Sequence, residues 1–223
     1  IQLRRRDHTP WRAAAPHLSM GVFTEEEAFS TVLFRFLGGG IVQVSEKLDD
    51  LDQDRYDLYK MAIPTYAPVA RRIYPWTEYL PEHFVSHFAG HKDLAPWAIV
   101  SLCNWNGGAA KKLGVKISDI PDLPKAAAYA AFEFRTQKYL GVFKPEERIE
   151  LDLEPHAARA IRLTPLTADG TYLIGSDLNL SCGMEIESIT GKTVKLKDAV
   201  REFAAKFTFL AWRDGKASLE TVD

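Results

Sequence analysis

Apolar residues recur with a helical period between Thr24 and Gly38. They are spaced three and four residues apart, which places them on one broad face of a helix. Thr24 and Glu27, three residues apart, form the pattern of a capping box, and Gly38 is a typical end of a helix. Because the first turn also carries three consecutive glutamates, it suits the positive end of the helix dipole. The pattern predicts a capped amphipathic helix over residues 25–37.

A glycine-led strand is predicted next. Gly38, Gly39 and Gly40 run directly into the β-branched segment 41–44, and a second helix is predicted over residues 52–62. A strand between two helices is typical of one unit of an α/β barrel or sheet. Substrates of such folds bind at the carboxyl ends of the strands, which here carry Ser45 and Glu46.

A connector follows over residues 64–81, where four prolines and several aromatic residues replace the periodic pattern. We place a domain boundary there.

Beyond the connector, short segments alternate apolar and polar residues with period two. Strands are predicted over residues 97–103, 128–135, 148–153, 157–163, 172–176 and 207–212. Turn residues such as Asp214-Gly215 separate them. Many short strands at this spacing predict an antiparallel β-sandwich.

Composition narrows the partners. A net charge of −2 gives no electrostatic reason to expect nucleic acid, and no apolar run approaches the roughly 20 residues that span a membrane. The 46% hydrophobic content is ample for a packed core. The two cysteines, Cys103 and Cys182, lie far apart and are predicted to be buried thiols. The chain begins at Ile1 rather than Met, and we interpret it as a fragment or a processed chain. Because a signal peptide would lie upstream of Ile1, the sequence does not indicate the cellular compartment.

Seven short motifs occur in one order along nearly the whole chain. They are Leu3-Arg4, FTEEEA at 23–28, the glycines leading to Ser45-Glu46, Asn104-Trp105, a KYLG turn at 138–141, LEPH at 153–156 and YLIGS at 172–176. Together they resemble the C-terminal part of the clan D glycoside hydrolases, the α-galactosidase or melibiase group of families 27 and 36.

This resemblance implies an α/β plus all-β architecture. Residues 1–72 would be the last βα units of a (β/α)8 catalytic barrel, and residues 78–223 an antiparallel β-sandwich. The parent would be a retaining glycoside hydrolase acting on α-galactosides or related sugars. Its catalytic aspartates would lie upstream of Ile1, so no catalytic residue is assigned in this chain.

The resemblance also implies partners and a substrate rim. The partners would be a carbohydrate substrate and the rest of the barrel, and no cofactor or metal is expected. The sequence leaves the oligomeric state open. Arg4, Ser45 and Glu46 are the predicted substrate-binding residues, although Glu46 stands where the family usually has Asp. An isolated barrel end should also expose a large apolar patch around Ile41, Val42, Val44 and Leu33.

Three residue clusters leave alternatives open. Glu46, Asp49 and Asp50 supply either the carboxylate pair of a glycosidase or an acidic helix start. His83, His87 and His91 recur every fourth residue, as zinc ligands or as ordinary histidines. Trp76, Trp97 and Trp105 either stack on sugars or anchor the core. The competing function is a non-catalytic carbohydrate-binding or scaffolding β-sandwich module.

Overall fold

The computed structural model describes residues 23–40, 53–66, 68–77, 79–191 and 193–222, which form two α-helices, one short 3-10 helix (Ile117–Asp119) and thirteen strands. The α-helices are α1 (Glu25–Leu37) and α2 (Gln53–Ala62). The strands are β1 (Arg71–Arg72), β2 (His83–Phe88), β3 (Trp97–Cys103), β4 (Lys111–Lys116), β5 (Ala128–Glu133), β6 (Lys138–Phe143), β7 (Arg148–Leu153), β8 (Ala158–Leu166), β9 (Gly170–Ser176), β10 (Ile186–Thr190), β11 (Thr193–Leu196), β12 (Phe207–Arg213) and β13 (Lys216–Val222).

Helix α1 begins and ends as its sequence predicts. The Thr24 hydroxyl accepts the Glu27 N–H at 3.2 Å, and the Glu27 carboxylate accepts the Thr24 N–H at 2.8 Å, so the capping box is confirmed. At the other end the Gly38 N–H donates to the Phe34 carbonyl. The predicted second helix is likewise found, as α2.

The strands form antiparallel sheets. A six-stranded sheet has the order β1-β2-β3-β8-β5-β6 and a three-stranded sheet the order β13-β12-β9, while β4-β7 and β10-β11 are separate pairs. All six predicted strands are present, as β3, β5, β7, β8, β9 and β12. The KYLG segment, predicted as a turn, is instead part of strand β6. The mostly antiparallel architecture is that of a β-sandwich.

The core lies on both faces of the six-stranded sheet. One face, with Val100 and Leu163, packs against the β4-β7 pair. On the other face, Ile99 and Ala160 pack against the two helices, and Ala130 with Phe132 packs against the three-stranded sheet. The sheet is therefore buried on both sides, which explains why every residue of β3 is buried.

The helices belong to this core. Phe29, Leu33 and Phe36 of α1 are all completely buried in one cluster with Trp97 of β3. The prediction that Leu33 lies in an exposed patch is therefore wrong, because the sandwich covers the apolar face of α1. The other residues of that patch, at 41, 42 and 44, lie outside the described residues. The assignment of residues 1–72 to a barrel stays a prediction.

No helix in the described part of the chain is long and apolar enough to cross a membrane.

Candidate functional site

The predicted substrate-binding residues Arg4, Ser45 and Glu46 lie outside the described residues, as do Asp49 and Asp50. Their roles stay predictions. Within the described residues, three of the motifs that carry the family resemblance meet at one place.

That place is a cleft of about 350 Å³ between α1 and the sandwich, here called the helix–sandwich cleft. Its lining residues come from the 23–28 motif and α1, from the end of β3 and from the loop before β8. They are Phe23, Glu27, Ser30, Thr31, Phe34, Cys103, Asn104, Trp105, His156 and Ala157.

Glu27 is the carboxylate of this cleft. One oxygen accepts the Thr24 N–H, and Oε1 lies 2.7 Å from Nδ1 of His156. Because a carboxylate only accepts, the imidazole nitrogen must be the donor. The Thr24 backbone N–H is the largest cause that lowers the pKa of Glu27; burial raises this pKa by less, and His156 lowers it further. Glu27 therefore stays ionised, and each of its oxygens accepts a hydrogen bond from the protein.

His156 is held in place by the loop around it. It has a left-handed backbone, with φ of 56°, and its N–H donates to the Asn106 carbonyl. Its own carbonyl accepts the Ser30 hydroxyl of α1 at 2.7 Å. A Cβ at Gly107 would lie 2.6 Å from the imidazole Nε2, so only glycine leaves room for the ring there. The histidine therefore contacts α1 through both its ring and its backbone.

The Asn104 side chain holds the same loop through hydrogen bonds to its backbone. Its amide nitrogen donates to the Leu153 and Glu154 carbonyls, and its amide oxygen accepts the Asn106 N–H at 3.0 Å. Since the side chain is buried and satisfied by backbone groups, its role is to fix the loop rather than to bind a ligand.

The whole first turn of α1 is bound in this way, an arrangement we call the glutamate clasp. It consists of Glu25 with Arg55 and Arg135, Glu26 with Arg159, and Glu27 with His156. Arg135, His156 and Arg159 come from the sandwich, while Arg55 belongs to α2. The clasp therefore ties the amino end of α1 to the sandwich by charge as well as by packing.

Of the three tryptophans for which sugar stacking and core anchoring were left open, two have protein partners. The Trp105 ring is stacked on Phe34, with centroids 4.6 Å apart, and its Nε1 donates to the Pro81 carbonyl. Trp97 is completely buried and donates to the Ser181 carbonyl. Both are core anchors. Trp76 is 94% exposed.

The three histidines do not form a ligand set. His83 and His87 lie on β2, but His91 lies beyond the end of that strand, where Nε2 contacts the Ile186 carbonyl at 2.7 Å. Among the described residues, no group of three or more His, Cys, Asp or Glu side chains is placed to hold a metal ion.

A buried polar cluster was not predicted from the sequence. Arg162 is 1% exposed, lies 4.6 Å over the Trp97 ring and donates to the Cys182 carbonyl. Nearby, the buried Glu185 carboxylate accepts the Gly183 N–H and the Ser181 hydroxyl. Burial lowers the pKa of Arg162 to about 10, so the side chain remains a cation at neutral pH. Nothing in the period-two pattern around position 162 indicates a buried arginine.

The described residues of the helix–sandwich cleft supply one carboxyl group, that of Glu27. A retaining glycosidase needs two carboxyl groups about 5–5.5 Å apart, one of them protonated. The Thr24 N–H and His156 lower the pKa of Glu27 and keep it ionised. The contacts of Glu27, Ser30 and His156 in the cleft join α1 to the sandwich.

The sequence matches no family model and no curated protein. The fold, in contrast, is similar to solved glycoside hydrolases. A GH27 β-L-arabinopyranosidase from Geobacillus stearothermophilus aligns with a TM-score of 0.53 and 16% identity, over 69% of this chain and 34% of the other. The α-galactosidase I of Mortierella vinacea aligns with a TM-score of 0.50 and 16% identity, over 68% of this chain and 39% of the other.

The chain thus spans between a third and two fifths of the length of these solved structures. The resemblance to the clan D hydrolases, predicted from the order of the motifs, is confirmed as a similarity of fold.

Proposed function

We propose that this chain is the C-terminal part of a retaining clan D glycoside hydrolase that acts on α-galactosides or related sugars. In this proposal residues 1–72 complete a (β/α)8 catalytic barrel, and the sandwich holds that end of the barrel in place. The observation that carries the proposal is the glutamate clasp, since it joins the helix of the FTEEEA motif to a sandwich whose fold resembles that of GH27 enzymes.

The chemistry would be supplied upstream of Ile1. By the double displacement of retaining glycosidases, one carboxylate attacks the anomeric carbon and a second carboxyl group protonates the leaving oxygen. Arg4, Ser45 and Glu46 would then line the sugar pocket rather than react, and the buried sandwich–helix junction would keep that rim rigid. Rigid support matters because proximity and orientation supply much of the rate.

The test compares the full-length protein with the 223-residue chain. Full-length protein should release nitrophenol from aryl α-galactosides or β-L-arabinopyranosides, and the 223-residue chain should release none above a buffer control. In the full-length protein, Glu46→Gln should raise KM or change the preferred sugar while leaving part of kcat. Glu46→Asp, which introduces the residue usual in the family, is the matched control and should bind substrate nearly as well as the native protein.

Two outcomes contradict the proposal. Full-length protein that is inactive on the whole panel would favour the alternative, a non-catalytic carbohydrate-binding or scaffolding module. Turnover by the 223-residue chain that Glu46→Gln removes would make Glu46 itself catalytic.

A further inference from the structure

A second cavity, of about 600 Å³, lies on the sandwich between the edge strand β6 and the β12–β13 hairpin. Tyr139, Val142 and Trp212 line it, and Lys144 and Glu147 lie at the same cavity. It shares no lining residue with the helix–sandwich cleft. We call it the hairpin groove.

A β-bulge gives the groove its aromatic wall. Tyr139 pairs with Phe132, and Val142 pairs with Ala130. Tyr139 and Val142 are three residues apart in β6, whereas their partners in β5 are only two residues apart. Residues three apart on a regular strand point to opposite faces, so the extra residue brings Tyr139 and Val142 to the same face. Gly141, with φ of +125°, takes the backbone conformation that the bulge requires.

Trp212 faces the groove from the other sheet. On β12 it pairs with Ala217 of β13 and Gly170 of β9, which are small residues on both sides. The indole and Tyr139 both pack against the same buried cluster that contains Ala130 and Leu210, and both are only half-buried. Each ring is therefore fixed on one side and accessible from the groove.

The polar ends of these side chains are unused. Within the part of the chain that the structure describes, Tyr139 Oη, Trp212 Nε1 and Lys144 Nζ make no hydrogen bond or ion pair. Glu147 uses one carboxylate oxygen to accept the Lys144 N–H at 2.7 Å, which leaves the other oxygen for a ligand. The groove thus combines fixed aromatic rings with three free donors and one free acceptor.

We propose that the hairpin groove is a saccharide-binding site for neutral oligosaccharides built of pyranose rings. Half-buried aromatic rings with polar ends suit a ligand that is apolar on its C–H faces and polar at its rim. The lysine and glutamate cancel in charge, which favours a neutral ligand over an acidic one. The volume is within the range of ordinary ligand sites, roughly 300–1,000 Å³. The site lies beyond the proposed catalytic function and does not depend on it.

The competing occupant is a second copy of the chain. Strands β6 and β13 are sheet edges, which can pair with the edge of another molecule. The unused donors and the neutral charge pair favour the sugar, since main-chain pairing of strands has no need of either.

The 223-residue chain should be titrated with melibiose and with a galactomannan, using tryptophan fluorescence and ligand-observed saturation-transfer NMR. Saturable binding is expected, and Trp212→Ala should weaken it about tenfold or more. Tyr139→Phe, which removes only the hydroxyl, should weaken it about threefold. Trp76→Ala is the matched control: it removes an exposed tryptophan that does not line the groove, and it should leave binding unchanged.

Trp212→Phe is the control that separates a loss of binding from a loss of folding, because it keeps an aromatic ring on the buried cluster. It should preserve the thermal unfolding midpoint and weaken binding less than Trp212→Ala does. The proposal is overturned if neither sugar binds saturably up to about 20 mM, or if Trp212→Ala binds as well as the native chain. It is also overturned by a concentration-dependent dimer that Trp212→Ala dissociates. Binding in the groove by a full-length protein without hydrolase activity would contradict the proposed function alone.

Discussion

Glu27 and His156 lie 129 residues apart in the chain, and their side chains meet at 2.7 Å. The same carboxylate closes the capping box of α1 through the Thr24 N–H. One residue therefore caps the amino end of a helix and joins that helix to the sandwich. Because the two contacts use different oxygens of one carboxylate, substitutions can separate them.

Glu27→Gln should cost about 0.5–1 kcal/mol of the free energy of unfolding, since glutamine still accepts the Thr24 N–H but loses the charge facing His156. Glu27→Ala should cost about 1–2 kcal/mol, because the cap is lost as well. Urea unfolding followed by circular dichroism measures both. Glu202→Gln, which neutralises an exposed glutamate away from the clasp, is the control and should have little effect. Equal costs for glutamine and alanine would show that the His156 contact carries the whole effect.

The stability of the chain should also fall in acid through Glu27. The Thr24 N–H and His156 lower its pKa in the folded state below the ordinary value of 4.5. The unfolded chain therefore takes up the proton first, and the stabilisation is complete above pH 4.5 and is lost as the pH falls through the lower folded value. Unfolding free energies at about pH 5 and about pH 3 should differ less in Glu27→Gln than in the native chain. Identical differences would contradict the role of this carboxylate.

His87 acts in a separate range of pH. Burial lowers the pKa of its ring below the ordinary value of 6.5. As the pH falls below 6.5, the unfolded chain takes up the proton before the folded chain does, so the stabilisation from the neutral ring begins to be lost. Because the native chain and Glu27→Gln both carry His87, the difference between the two chains reports on Glu27.

The sequence predicts elements whose information is local. The capping box at Thr24 and Glu27 needs residues only three apart, and strand β7 alternates clearly, with Ile149 and Leu153 buried and Glu150 exposed between them. Such elements were found where they were predicted.

Elements at sheet edges escaped prediction because little of their surface is buried. Strand β13 is exposed at six of its seven positions, so no apolar alternation marks it. Strand β6 contains the bulge at Gly141, which breaks the period and resembles a turn. Strand β2 is not an edge, since it lies between β1 and β3; it was missed because its histidines suggested a metal site, although Val85 and Phe88 are buried.

Long-range contacts could not be predicted, because the information that determines them is not local in the sequence. The apolar face of α1 was visible in the sequence, but its partner was not, and Leu33 was therefore predicted to be exposed. The motif pieces at 23–28, 104–105 and 153–156 were each recognised, yet only folding places Glu27 beside His156. A single sequence does not indicate which distant residues will meet.

The buried Arg162 should be among the costliest side chains to replace. It sits over Trp97 and bonds the Cys182 carbonyl, and the Glu185 carboxylate lies in the same buried cluster. Arg162→Met leaves the buried Cys182 carbonyl and Thr164 hydroxyl without the arginine donors and removes a positive charge that attracts Glu185, which should cost about 1–3 kcal/mol. Arg162→Lys should rescue only part of this, because an ammonium group cannot replace a planar guanidinium with several fixed donors.

Urea unfolding tests this prediction, with Arg201→Met as the control, since Arg201 is largely exposed and pairs only with exposed Asp198. The control should change stability by less than about 0.5 kcal/mol. A cost below about 1 kcal/mol for Arg162→Met would show that the fold does not depend on the hydrogen bonds of this arginine.

The two cysteines should report separately on the clasp and on the core. Both thiols are buried, as the sequence predicts, but Cys103 lines the helix–sandwich cleft whereas Cys182 lies in the Arg162 cluster. Burial, with the Glu185 carboxylate adding to it, raises the pKa of the Cys182 thiol, so it should react slowly in the folded chain. Opening of the clasp should expose Cys103 without exposing Cys182.

Glu27→Ala should therefore accelerate alkylation of Cys103 by iodoacetamide about fivefold to thirtyfold, which corresponds to the 1–2 kcal/mol expected from loss of the cap and of the hydrogen bond to His156. The rate at Cys182 should follow global unfolding only and should change much less. Peptide mass spectrometry resolves the two sites, and Cys103→Ala confirms the assignment of the faster signal. If labelling of both cysteines accelerates equally in Glu27→Ala, α1 does not detach locally, and the clasp is part of a single cooperative unit with the sandwich.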